Sequence, residues 1–503
     1  MNISYNEFFA MPCTEMKMTH LICTTMSMSA EEQLRIIACK FGVKSICARN
    51  SDRLIEHSKG KFFFYFDDRK TDMQCSVMTA FPKLTAALLD MDKPAPSDSN
   101  VFHPKIMLAR YAAGDDVSYR ALISSRNLTS ADVFETGVML VSAPRRNDAP
   151  NHNIHELLEY LDDPETKELA DEIKGLDLIL PDECSSVKIT VSGINGQPQD
   201  RELVDILKKE ENDTNKRLYI LSPDYETAQD KLERHRVYAP QKTHAKLYYL
   251  PDADGGTVWL GSCNLSDSAM NGKNIECMAK ITNVGKYFSV DSDNDIFTVF
   301  GTKCERVTEA RKFDGSARYE VIKKLSEFVQ SSEFSGEDSL KTWRIAKVQI
   351  ETRYTIKGKE VIEYLPLGFP EKDNNKDEPR WRNINIKNSY TFRAGKKYVP
   401  NGMLRVRLTE NGMSAEKIVI FDKDAYSSIY DKTLSADGFF AVPWLDHLML
   451  AEDRNTAEYE KAHFLETLEK TADIMECTDS RKAELNGLKE IYESVFKELR
   501  FEE

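Results

Sequence analysis

Thr243-His244-Ala245-Lys246-Leu247-Tyr248-Tyr249-Leu250, then Gly261-Ser262-Cys263-Asn264-Leu265-Ser266, then Asn274-Ile275-Glu276, is the stretch on which the reading of this chain turns. Three apolar, β-prone runs, at 244–250, 257–261 and 276–281, predict three strands joined by short turns. In a strand, side chains two apart project from one face, so His244 and Lys246 face the same way. The neighbouring strand end brings a hydroxyl, Ser262, and a carboxamide, Asn264. A lone His beside a Lys on a strand is more often structural than functional.

The same order occurs upstream. Phe102-His103-Pro104-Lys105-Ile106-Met107 is followed by Ile123-Ser124-Ser125-Arg126-Asn127-Leu128-Thr129 and then by Glu135. Each copy sits in an alternation of strand and helix signals. In the first series, strands are expected at 18–24, 43–48, 61–66, 102–111, 119–124 and 137–142. Ser29 and Glu32 form a possible capping box before a helix, and a further helix start lies near Thr129. In the second series, strands are expected at 187–191 and 217–221 before His244, with a helix at 201–209. An acidic helical stretch, 155–176, bridges the two. The repeat sets the architecture: two related halves in one chain. Two imidazoles, two ammonium groups and two carboxamides brought together suit phosphoryl transfer. One imidazole can attack phosphorus and the other can protonate the leaving oxygen. The cations and amides hold the phosphate oxygens, a task often given to metal ions.

These residues resemble the phospholipase D superfamily, whose pattern is His-x-Lys, often with a following Asp, then Gly-Ser-x-Asn and Asn-x-Glu. The second copy carries the last two elements in full. The Asp is absent from both copies, where Arg110 and Pro251 stand instead, and its loss looks like the tyrosyl-DNA phosphodiesterase branch and related nucleases. The phrases ISSRNLTSADVFETG (123–137) and GSCNLSDSAMNG (261–272) resemble that branch too. The likeness spans about residues 15–285. It implies an α/β fold of two mixed sheets flanked by helices, one per half, packed as an intrachain pseudo-dimer. It also implies a phosphohistidine intermediate on His103, with His244 as general acid and then base. Lys105, Lys246, Asn127 and Asn264 would bind the scissile phosphate, and Glu135 and Glu276 would orient the imidazoles. The order of the two histidines comes from the resemblance alone. No metal and no cofactor is expected.

The rest of the chain bounds the setting. Its 503 residues, 41% hydrophobic and 30% charged, suit two or three globular domains and argue against disorder. No apolar run is long enough to span a bilayer, and no secretory signal is read at the N-terminus. The ten cysteines form no Cys-x-x-Cys pair, so a reducing, cytoplasmic compartment is expected. The formal net charge of −14 hides an asymmetry: residues 341–410 hold sixteen Lys/Arg against eight Asp/Glu, a local +8. That segment reads as a strand-rich domain with Gly, Pro and Asn turns. Arg380, Trp381, Arg382, Lys396, Lys397, Arg405 and Arg407 mix cations with an aromatic, which suits nucleic-acid backbone binding; a solvated surface is the other reading.

The expected organisation is two halves, 1–150 and 151–300, a helical connector at 301–340, a basic β-rich domain at 341–450 and a helical hairpin at 451–503. In the last helix, Leu485, Leu488, Ile491, Val495 and Leu499 fall on one face and read as core. Three functions compete. The first is a metal-independent nuclease or DNA-end phosphodiesterase, by analogy in repair or in defence against foreign (phage) DNA. The second is a lipid phosphodiesterase or phosphatidyl transferase. The third is a non-catalytic nucleic-acid-binding subunit. DNA is the expected ligand, with no membrane; a helicase or ATPase partner and a homo-oligomer stay open.

Overall fold

The first repeat builds a mixed sheet from β1 (Lys17–Thr25), β2 (Phe62–Phe66), β3 (Asp92–Pro94), β5 (Ile106–Ala113), β6 (Asp116–Ser124), β7 (Gly137–Pro144) and β8 (Leu176–Ile179), with β4 (Val101–Phe102) set apart. Its order is β3-β2-β1-β5-β6-β7-β8. The second repeat uses β9 (Val187–Ser192), β10 (Tyr219–Leu221), β11 (Arg236–Tyr238), β12 (Leu247–Leu250), β13 (Thr257–Gly261) and β14 (Asn274–Thr282). These run β11-β10-β12-β13-β14, and β9 and β4 both pair with β14; a small sheet of β15 (Phe288–Asp291), β16 (Ile296–Val299) and β17 (Thr302–Glu305) follows. The computed structural model describes residues 5–10, 16–42, 57–70, 88–96, 100–129, 133–181, 186–208, 217–223, 235–238, 243–253, 255–307, 316–339, 345–356, 358–366, 381–384, 388–393, 402–422, 458 and 462. Among them the chain is α/β, with several sheets and few helices, and it divides into two units. One comprises Met1–Met28, Gly60–Thr71 and Met91–Ser316; the other comprises Ser29–Lys59, Asp72–Asp90 and Ala317–Glu503.

The two large sheets repeat one pairing scheme. β2 lies parallel to β1, and β1-β5, β5-β6, β6-β7 and β7-β8 are antiparallel. Likewise β11 lies parallel to β10, and β10-β12, β12-β13, β13-β14 and β14-β9 are antiparallel. The sheets share a core. Tyr119, Ala121 and Ile123 alternate on β6 and meet Val258 and Leu260, which alternate on β13. Trp259 points to the other face of β13, where it packs with Leu203, Ile206 and Leu207 of the helix Arg201–Lys208. Its indole Nε1 donates to Asp200, at 3.2 Å. Both faces of β13 are thus buried, which explains its unbroken apolar sequence.

The halves also exchange backbone. β4 pairs parallel with the start of β14, Phe102 opposite Ile275, and Thr243 forms a parallel bridge with Phe134 just before β7. Each repeat therefore lends the residues before its His-x-Lys to the other repeat's sheet. This corrects the expected continuous strands at 102–111 and 244–250. His103-Pro104-Lys105 and His244-Ala245-Lys246 lie outside the strands, at the crossings between sheets. The cause is backbone bonding. His103 N donates to Ile275 O in one sheet, at 2.9 Å, and Lys105 O accepts from Ser124 N in the other, at 3.0 Å.

Several other expectations hold within a residue or two: strands at β1, β2, β7, β9 and β13, and the helix from 201; β6 begins three residues before its expected start. The Ser29 cap forms, its Oγ accepting from Glu32 N at 3.3 Å. The bridge 155–176 is two helices, Ile154–Tyr160 and Pro164–Ile173, broken where Asp162 takes φ 53° before Pro164. Residues 43–48, most of the stretch after Thr129, and the C-terminal helical stripe lie outside the described residues. No helix among the described residues is long and apolar enough to cross a membrane.

In the second unit, Ala317–Gln330 continues the helix that begins at Ser316. Val321, Ile322, Leu325 and Phe328 from this helix enter a core with Val348, Ile350, Tyr364 and Val406. The helix ends at Gln330, inside the segment 301–340 expected to be a helical connector. Ser331 Oγ and Ser332 Oγ bond back to Glu327 O and Phe328 O, and strand β18 (Ser332–Ser339) begins at once. The strand-rich reading holds across β19 (Ile345–Thr352), β20 (Val361–Pro366), β21 (Arg382–Asn383), β22 (Ser389–Arg393), β23 (Met403–Glu410) and β24 (Met413–Ile420). They form two small sheets, β18-β19-β22 and β21-β20-β23-β24.

Candidate active site

The two sheet crossings bring both motifs together. His103 Nδ1 lies 2.7 Å from Glu276 Oε2, and His244 Nδ1 lies 3.4 Å from Glu135 Oε1. Each imidazole thus meets the glutamate of the opposite repeat. The support is repeated too. Lys105 Nζ donates to His103 O at 2.9 Å, and Lys246 Nζ to His244 O at 2.7 Å. Ser125 N donates to Thr136 O at 2.8 Å, and Ser262 N to Cys277 O at 2.9 Å. Each serine hydroxyl then accepts a backbone N–H from the facing strand, Ser125 from Thr136 and Ser262 from Cys277. Leu128 N bonds Thr25 Oγ1 at the end of β1, and Leu265 N bonds Ser222 Oγ just after β10. Two hydroxyls at the ends of equivalent strands anchor the turns that carry Asn127 and Asn264.

The half-sites differ in their grip. Glu276 is fully buried, and its carboxylate also accepts from Ser262 Oγ (2.5 Å) and Asn274 Nδ2 (3.3 Å). Ser262 is therefore committed to holding Glu276. Glu135 is instead paired with Arg126, whose Nη1 donates to Oε2 at 3.2 Å, and the 3.4 Å approach to His244 is not aligned as a hydrogen bond. His103 is 6% exposed and His244 26%, so the second imidazole is the one open to solvent. Asn127 Oδ1 takes a long bond from Thr25 Oγ1 at 3.4 Å, while Asn264 Oδ1 is shielded with no hydrogen-bond partner among the described residues.

Burial and crowding of like charge set the protonation states. Burial, with the fields of Lys105 and Lys246, drives His103 well below the ordinary histidine value. Burial and the same two lysines push His244 down. Burial and Lys246 bring Lys105 well below the usual lysine range. Burial raises both Glu135 and Glu276 to about 7, against the pull of nearby cations. Each of these five groups is displaced toward its neutral form, as burial of ionisable side chains dictates. A bound anion favours each protonated state, restoring charge to the imidazoles and lysine and holding the carboxyls neutral, so binding draws protons in. Sulfate, which stays a dianion near neutrality, is expected to bind with net uptake of up to about one proton and to bind more tightly as pH falls from 8 to 6. Calorimetry in two buffers of different ionisation enthalpy reads this directly; proton release on binding refutes it.

Two residues without a sequence signal support His103. Asp67, buried after β2, accepts from Phe102 N at 3.1 Å and is clamped by Arg69, at 3.0 Å from its Nε. Arg69 Nη2 also donates to Asn100 O. Arg110 forms a two-bond pair with Glu172, at 2.6 and 2.9 Å, and takes no part in the site. His152 is buried near His155, their rings 6.4 Å apart. No three His, Cys, Asp or Glu side chains converge as a metal centre among the described residues.

In the β-rich segment, Arg380, Lys396 and Lys397 lie outside the described residues. Arg382 is exposed on β21. Arg405 and Arg407 flank Trp381, with guanidinium carbons 5.3 and 4.0 Å from the ring centroid. Both are already paired, Arg405 with Glu416 at 2.7 Å and Arg407 with Glu363 at 2.8 Å. Their alternation along β23 places both on the Trp381 side of the sheet.

No family model matches this chain, and no curated protein matches it.

Proposed function

We propose that this chain is a phosphodiesterase of the phospholipase D type, acting on nucleic acid at one site built from two half-sites. The single observation that supports it best is the reciprocal pairing of His103 with Glu276 and His244 with Glu135, with Lys105 and Lys246 beside them. A hydrogen bond at Nδ1 leaves Nε2 of His103 with its lone pair free to attack. In the first step an Nε2–P bond forms, the P–O bond to the leaving group breaks, and His244 gives that oxygen its proton. In the second step water attacks phosphorus, His244 takes the proton, and the N–P bond breaks with its electrons returning to His103. The sum is diester plus water to monoester plus alcohol. Lys105, Lys246, Asn127 and Asn264 supply cations and amide donors to the phosphoryl oxygens. Nucleic acid is preferred over lipid because of the +8 segment at 341–410 and the resemblance to the tyrosyl-DNA phosphodiesterase branch.

The test is a substrate panel of labelled single-stranded DNA, duplex DNA, RNA and phosphatidylcholine, each with millimolar EDTA throughout. Cleavage of nucleic acid that survives EDTA is the expected result. Hydrolysis of phosphatidylcholine alone moves the reading to a lipid phosphodiesterase. Tight binding of nucleic acid with no cleavage of any substrate moves it to a non-catalytic subunit. Activity abolished by the chelator and restored by magnesium or manganese sinks the metal-independent mechanism.

A further inference from the structure

The backbones of the two half-sites superpose in their bonding, yet the residue after the serine differs. In the second repeat it is Cys263, a buried neutral side chain. In the first it is Arg126, whose guanidinium bonds Glu135 Oε2 and also donates to Thr129 O at 3.3 Å. Glu276 therefore directs its carboxylate at His103 with only neutral donors bonded to it among the described residues, Ser262 and Asn274. Glu135 divides its charge between a full cation and His244.

We infer that Arg126 is a positioning residue that makes the two half-sites unequal: by holding Glu135 it keeps that carboxylate from gripping His244, so His244 is the imidazole that exchanges protons with leaving group and water. This rests on the phosphodiesterase reading for its chemistry, but not for its electrostatics. A carboxylate whose other hydrogen-bond partners are neutral stabilises the imidazolium. A carboxylate shared with a guanidinium does so less, and the imidazolium stays acidic enough to surrender its proton. The looser 3.4 Å contact and the greater exposure of His244 are what a proton-transferring group needs. The charged groups that face His244 are Lys246 on its own segment, Lys105 and His103 from the other motif, and Glu135 with Arg126 behind it. Of these, Arg126 stands in one half-site with no counterpart in the other.

The experiment titrates the nine histidines of the full chain, labelled with ¹³C at the ring, by NMR. The His103 and His244 signals are assigned by their loss in alanine variants. Arg126→Gln is expected to move the His244 titration upward by about one unit and leave His103 within a few tenths. Arg126→Lys, which keeps the charge, is expected to stay near the wild type. In a Glu135→Gln background, Arg126→Gln is expected to add no shift, since the carboxylate that transmits it is gone. An unmoved His244, an equal shift of both histidines, or a lysine variant that behaves like the glutamine one overturns the inference. No step needs turnover, so a protein that cleaves none of the panel substrates defeats the phosphodiesterase reading and leaves this one decidable. Where turnover is measured, the basic limb of the kcat/KM profile is expected to move with the His244 titration.

Discussion

On the phosphodiesterase reading proposed above, replacing His103 or His244 by alanine is expected to lower turnover at least about 10³-fold, and replacing both to lower it no further than the worse single change. Non-additivity follows from the geometry. Each imidazole is tied to the other repeat's glutamate and lies in the field of both lysines, so each single loss disables the one centre they share. The two variants are expected to fail differently. Without His244 the attack on phosphorus can still occur with a good leaving group, but water is not activated, so a phosphohistidine accumulates. Without His103 no adduct can form at Nε2. Acid-labile, base-stable label retained on protein in His244→Ala and absent in His103→Ala is the expected pattern. The reverse exchanges the two roles, and near-wild-type turnover in either variant refutes a shared site. His103 is buried, so His103→Gln is the check on folding: it fills the space without supplying the nucleophile, and its urea midpoint separates lost chemistry from lost structure.

What the sequence disclosed and what it withheld divide along physical lines. Spacing at period two, with short apolar runs between turn residues, marked β1, β6, β7 and β13 to within a few residues, because each sets buried side chains at alternate positions or along a continuous run. The same reasoning placed His103 and Lys105 inside a strand. It failed there because an extended tripeptide passing between two sheets has the composition of a strand and different hydrogen-bond partners. Which glutamate serves which histidine was likewise out of reach. Glu276 lies 173 positions from His103, and only the backbone exchange at Phe102–Ile275 and Thr243–Phe134 reveals the crossed pairing. Arg126 was in plain sight between Ser125 and Asn127. Its signal was the mismatch with Cys263 at the equivalent place, which a search for matching residues passes over. Asp67 and Arg69 carry no local pattern at all, since their role is defined by Phe102 and Asn100, more than thirty positions away in the chain. Arg405 and Arg407 show what composition leaves out: their charge is real, but β20 sets Glu363 directly opposite Arg407, and Glu416 of β24 reaches Arg405 on the diagonal.

Gly261→Ala is expected to cost about 3–5 kcal/mol of stability, a large share of what a domain has, and to abolish activity with it. The glycine that opens Gly-Ser-Cys-Asn is there because nothing larger fits. A Cβ at 261 would lie 2.2 Å from Cys277 O and 2.9 Å from Met278 Cα, both backbone atoms of the paired strand β14, and φ there is +155°. Neither neighbour can move cheaply. Cys277 O accepts the Ser262 N–H, and Cys277 N donates to Ser262 Oγ, the same hydroxyl that holds Glu276. Pushing β13 away from β14 at this point therefore loosens the orienting glutamate of His103 as well as the sheet. Gly114, in the turn between β5 and β6, is the control. It also has a positive φ, +62°, but a Cβ there meets no atom within 4 Å, so alanine is expected to cost only about 1–2 kcal/mol of backbone strain and to leave turnover intact. Urea unfolding of the two variants beside the wild type measures the difference. Equal, small losses at both positions remove the close β13-β14 approach as the reason for the glycine.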